Sequence, residues 1–356
     1  MIKAIKLAGK YLDQPLLVSK FKSKVPPIFI GGAAIYGANE VRKEPKEKRL
    51  EKAINTTFIM TATVASALAA PRIAAKIVRK PYEKFDAKEI IKKNTAIVDE
   101  FLSKEKVSEK TATILEKAKT KVLKFKEIKT LDRELGVKKT GKSFFNQLIP
   151  EPENVTSKDI RNEIGRLSIL GFIPVAGGIA GGIAGEKITN KKLEKNHTAN
   201  RVKEGAYQYL ANIFLCNIGA GLALAGLEHF NVKSKSARVV GMVGGILTTG
   251  VIGGNYIANY IGQKLINPIF EPKEARKKKE SLTSERKPEV LDICLHSDDI
   301  ATIAVMSGLK WMEPALPILY GISGYRAGIG YRNGDKYKKQ NEMCDNEESY
   351  CTEMSD

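Results

Sequence analysis

Apolar and small residues gather into five long stretches along this chain, separated by lysine-rich connectors, and the pattern predicts an all-α fold: a helical membrane bundle. The stretch at 164–185, IGRLSILGFIPVAGGIAGGIAG, organises the rest. Gly177, Gly181 and Gly185 recur every fourth residue with Gly178 and Gly182 beside them, so on a helix they form a groove without side chains. A glycine in a water-exposed helix interior costs about 1 kcal/mol relative to alanine. In a bilayer the backbone must satisfy its own hydrogen bonds, and small residues let a second helix come close. The run reads as a glycine-zipper packing face. Phe172, Ile173 and Pro174 predict a break within it, giving either one kinked span or two arms of a hairpin, since proline removes a backbone donor.

Two further spans are predicted at 206–227 and 239–261, joined by a short linker and therefore antiparallel neighbours. In the second, Gly241, Gly245, Thr249 and Gly253 form one small stripe, and Gly250, Gly254, Ala258 and Gly262 another. Asn217, Asn255 and Asn259 fall within or near hydrocarbon, where such amides serve as hydrogen-bonding glue between helices or as a polar site. The segment 53–70 is uncharged and ends at Pro71 and Arg72. It is a weaker span because of its threonines and asparagine. The segment 25–38 is too short to cross a core that needs about 20 residues, which suggests a re-entrant or partly inserted arm. The last apolar segment, 300–322, carries Lys310 and Glu313 near its middle, close to Pro314 and Pro317. Three residues apart on one helix face, these charges are close enough to pair. A charge in a span must be paired or wetted, so they either line a cavity or sit at the interface with Trp311 as anchor.

At the start of the chain, Ile2, Ile5, Ala8, Leu12 and Leu16 fall on one helix side and Lys3, Lys6, Lys10 and Asp13 on the other. This suits a helix lying in the membrane interface. It suits equally an amphipathic helix packed on the rest of the protein. Lys10 and Asp13 interrupt any apolar core of a cleavable secretory signal, so none is expected. Four regions follow: an interfacial helix with the first apolar segments (1–75), a lysine-rich soluble helical insertion (76–159), a glycine-rich transmembrane bundle (160–335) and an acidic disordered tail (336–356). Within the insertion Asp86 and Ser108 have the spacing of helix N-caps, the second helix carrying Leu115, Ala118, Val122 and Phe125 on one face. The stretch 186–204 reads as a polar connector in which His197 is solvated.

The net charge of +19 lies mostly in the connectors, which points to anionic partners. Because the charge flanks apolar spans, the expected partners are a lipid bilayer with anionic headgroups, with further copies of the chain as a second candidate; nucleic acid is disfavoured. Lysine and arginine excess on both sides of the central spans leaves the orientation unassigned.

Enzymatic signatures are weak. Residues 136–143, GVKKTGKS, match the phosphate-loop pattern through Gly136, Gly141, Lys142 and Ser143. That loop needs a buried strand before it and a helix after it, whereas the preceding residues are charged and Pro150 follows closely. A nucleotide site there is therefore not expected. Cys294, His296, Asp298 and Asp299 crowd beside a helix start and read as capping rather than as metal ligands. With four scattered cysteines and no catalytic grouping, the reading is of no metal, no cofactor and no enzyme. The expected activity is non-enzymatic: helix self-association and organisation of lipid or partners. A pore or transporter for an ion or small solute is the first alternative, and a nucleotide-dependent membrane enzyme using 136–143 the second.

Overall fold

The computed structural model describes residues 2–79, 85–135, 147–149, 157–190, 195–232, 235–270 and 310–331. All elements among them are helical. In chain order they are α1 (Ile2–Leu12), α2 (Pro15–Lys43), α3 (Arg49–Ile77), α4 (Ala87–Lys104), α5 (Glu109–Thr120), α6 (Phe125–Leu135) and α7 (Ser157–Asn190). Two composite rods follow. The first, α8, joins Lys195–Tyr209 to Leu215–His229 through a π-helical turn at Leu210–Phe214. The second, α9, runs over 235–270 and contains π-helical stretches at Ile246–Gly254 and Gly262–Ile266. A 3₁₀ turn, Lys310–Ala315, leads into α10 (Leu316–Ile329).

Among the described residues four helical segments are long and apolar enough to cross a membrane: Lys46–Ile77, Lys158–Thr189, His197–His229 and Ala237–Phe270. At their centre stands α7, with α3, α10 and α8 around it; α9 packs on α8. Leu167, Leu170, Ile213, Cys216, Ala220, Met242, Leu316 and Tyr320 fill the shared core.

Two local expectations change and a third is narrowed. At Pro174 the single span holds and the hairpin does not: α7 is continuous from Ser157 to Asn190. Its missing donor is tolerated because neighbours hold the rod on both sides, and the Pro174 carbonyl lies against Gly324 of α10. Likewise α2 runs helically through Pro26 and Pro27 and lies beside α3, rather than forming a short arm. The connector 186–204 is mostly helix, with α7 reaching Asn190 and α8 starting at Lys195.

The described part of 76–159 builds a second, smaller core from Val98, Leu115, Ala118, Leu123, Ile128 and Leu131. Asp86 accepts the Lys88 amide and Ser108 the Thr111 amide, the caps that their spacing predicts. The long second helix instead splits at 121–124, and Leu123 turns inward at the break. Burial raises the Glu127 carboxyl, but its bonds to Lys117 and to the Lys124 amide outweigh this and hold it below the usual range. Leu7 and Tyr11 of α1 pack on this core, and Lys10 pairs with Asp132 at 2.8 Å. Here α1 covers protein rather than standing apart. The buried Gln14 then fastens the junction, accepting the Leu123 amide at 2.7 Å and donating to the Leu123 carbonyl at 3.0 Å.

Candidate functional site

Glycine backbone, rather than side chains, makes the closest contacts around α7. On one face a Cβ built on Gly181 would stand 2.6 Å from the Phe58 carbonyl oxygen of α3, and one on Gly185 2.7 Å from Asn55 Oδ1. At Gly177 it would collide with Ser66. The order of these pairs makes α3 and α7 antiparallel. On the adjacent face Gly178 lies against Gly324 and Gly182 against Gly328, so α10 runs parallel to α7 at the same four-residue step. In the α8/α9 pair Gly219 and Gly245 face each other, each leaving no room for a Cβ beside the other's carbonyl. Gly250 sits against Cys216, Gly254 against Ala211, and Gly241 against the Leu227 side chain. Gly253 meets only the Thr248 carbonyl of its own rod, at 3.5 Å. At Gly178, Gly181, Gly182, Gly219 and Gly245 the approach is backbone to backbone without intervening bulk, where dispersion contacts are densest.

A polar chain runs up α8 beside these contacts. Glu204, Gln208 and Asn212 recur at four-residue steps and are buried. Gln208 Nε2 donates to Glu204 Oε1 at 2.8 Å, and Asn212 Nδ2 donates to Gln208 Oε1 at 3.0 Å. One turn earlier Arg201 donates to the Gly328 carbonyl at 2.9 Å and pairs with Glu186, which is 1 % exposed. His197 Nδ1 lies 3.3 Å from the other Glu186 oxygen, its ring half exposed. The ladder was legible in principle as a polar stripe with helical spacing. Treating 186–204 as a connector and starting the span at Ala206 hides it.

Asn217 is 1 % exposed and its Nδ2 has no hydrogen-bond partner among the described residues. Asn259 is half-buried on the last α-helical turn before Gly262. The Asn255 side chain lies outside the described residues. Between α8 and α9 the hydroxyl that bridges is that of Thr249, which donates to the Leu215 carbonyl at 2.9 Å.

Lys310 and Glu313 lie in the 3₁₀ turn before α10, and no candidate span among the described residues includes them; residues 300–309 of the last apolar segment lie outside the described residues. Glu313 accepts from Arg166 of α7 at 2.8 Å, and Arg166 also holds Glu163 at 2.6 Å. Lys310 is exposed. Asp13 accepts the Trp311 amide at 3.1 Å, which ties the turn to the α1/α2 junction. The loop 136–143 with Gly136, Gly141, Lys142 and Ser143, the cluster 294–299 and the tail 336–356 all lie outside the described residues. Among the described residues no group of three or more His, Cys, Asp or Glu side chains is placed to hold a metal ion.

No protein-family model matches the chain, and neither a curated protein nor a solved structure does. The class that the fold defines is accordingly a coarse one: a bundle whose described residues are all-helical and include four helices able, by length and composition, to cross a membrane.

Proposed function

We propose that the chain is a multi-pass integral membrane protein without enzymatic activity, whose work is to hold a close-packed helical bundle and to organise lipid and partners around it. The observation that carries this reading is the outward face of α9. Val240, Ile252 and Tyr256 are 71 %, 70 % and 75 % exposed, with Val243, Leu247, Tyr260, Leu265 and Ile269 exposed beside them. A continuous apolar face of this length has no place in water, whereas acyl chains solvate it. Gly244 on the same rod is exposed and has nothing within 4 Å of where a Cβ would stand, which leaves space for a second copy. The cations at the ends of the spans suit anionic headgroups. The buried ionic groups also favour a structural role, because Arg201 and Arg166 are both spent on carboxylates within the bundle.

The Glu204–Gln208–Asn212 ladder favours a second reading, a pore or transporter for an ion or small solute. Sealed vesicles loaded with salt or a small dye distinguish the two. With the full chain reconstituted, release is expected to stay at the protein-free level. Release that scales with protein and is lost in Gln208→Leu would establish transport instead.

A further inference from the structure

The α2/α3 hairpin leaves a groove of about 830 Å³ along its length. Ile30, Ala34 and Ala38 line it from α2, and Thr57, Thr61 and Ala65 from α3, so its walls are small and almost wholly apolar. Between Lys52 and Arg72 the α3 wall carries no charge over about 28 Å at 1.5 Å per residue, close to the thickness of a hydrocarbon core. At its Val41 and Ala53 end the groove opens on the turn 42–52. There Lys43 is neutralised by Glu40 at 2.6 Å and Lys52 by Glu44 at 3.2 Å. Arg42, Lys46, Lys48 and Arg49 remain against Glu47 and Glu51, an excess of cations at the mouth of an apolar channel. Lys46 and Lys48 are exposed and have no carboxylate partner among the described residues.

We propose that this groove binds one hydrocarbon chain of an anionic phospholipid, with the lipid phosphate held by Lys46 and Lys48 at the turn. The proposal rests on the membrane reading above and names the lipid that this site takes. A helix from a second copy is the wrong occupant on grounds of charge. A second α2/α3 hairpin would set its own basic ends, Arg42 to Arg49 and Lys20 to Lys24, against their equivalents. A lipid chain is narrow enough to enter, and its headgroup complements the charge.

The test uses the full chain in vesicles, with Trp311→Phe removing the native tryptophan. Ile30→Trp then reports the groove at the end away from the turn, and Ile252→Trp on α9 reports ordinary boundary lipid. Phosphatidylglycerol or phosphatidylcholine with brominated chains is added at equal mole fraction. The groove tryptophan is expected to be quenched at least threefold more by the anionic lipid, well inside the roughly 30-fold preference that two lysines supply at a membrane surface. The α9 tryptophan should show no such preference. Lys46→Glu with Lys48→Glu should bring the groove ratio down to that at 252, and so should filling the channel with Ala34→Phe and Ala65→Phe. Equal ratios at the two positions before any of these changes would overturn the lipid site while leaving the membrane reading intact. Quenching of neither tryptophan by either lipid would overturn both.

Discussion

Gly178→Ala is expected to destabilise the bundle by about 3 kcal/mol, the upper end of what overpacking a close-packed core costs, or more. The added methyl has nowhere to go. A Cβ there would fall under 3.0 Å from the Gly324 carbonyl, and backbone cannot swing aside as a long side chain can. Thr63 lies on the other side, at 3.1 Å, so a shift of α7 away from α10 drives it toward α3. Gly244→Ala is the control. It adds the same methyl to a helix in open space, where alanine is the better helix former by about 1 kcal/mol or less. Unfolding of the purified protein in mixed detergent, followed by circular dichroism, measures both. The expected result is a large loss for Gly178→Ala and no loss for Gly244→Ala; similar behaviour of the two would mean that backbone contacts do not hold α7 in place.

The second large effect belongs to the buried pair between α7 and α8. Arg201→Ala is expected to cost about 3 to 5 kcal/mol, because it leaves the Glu186 carboxylate buried without its cation. It also removes the donor to the Gly328 carbonyl. Glu186→Gln should cost a comparable amount by stranding the guanidinium. Combining Glu186→Gln with Arg201→Ala removes both charges at once, so the double variant should be clearly more stable than the sum of the two single losses predicts. The same unfolding measurement decides, and strict additivity would show that the two side chains do not act on each other.

How much of this was legible beforehand depends on the kind of signal. Composition and length suffice for a span, so the four long apolar helices among the described residues lie where the apolar runs place them, at 53–70, 164–185, 206–227 and 239–261. Capping is local as well, which is why Asp86 and Ser108 could be read directly. Partnership is not local. Nothing in the Gly-every-fourth pattern says that Gly177, Gly181 and Gly185 face α3 while Gly178 and Gly182 face α10. Both faces turn out to be occupied within the chain. The same limit applies to Glu313, whose nearest cation in sequence is Lys310 but whose bond is to Arg166, separated from it by 147 positions. Proline is a third case. Its cost of about 3 kcal/mol in an isolated helix is outweighed in α7 by contacts from two neighbours, so a local rule reads a break where the tertiary structure keeps a rod. The ladder on α8 lay across a boundary drawn by hydropathy alone, and its period was visible only once Glu204 and Asn212 were taken together.

The measurement that bears most directly on the whole account is alkaline carbonate extraction of membranes from cells producing the full chain. Four apolar helices and the exposed face of α9 predict that the protein stays in the membrane pellet through carbonate and leaves it only with detergent. Release of the chain into the carbonate supernatant would contradict the account, since helices embedded in hydrocarbon are not freed by stripping charges from the membrane surface.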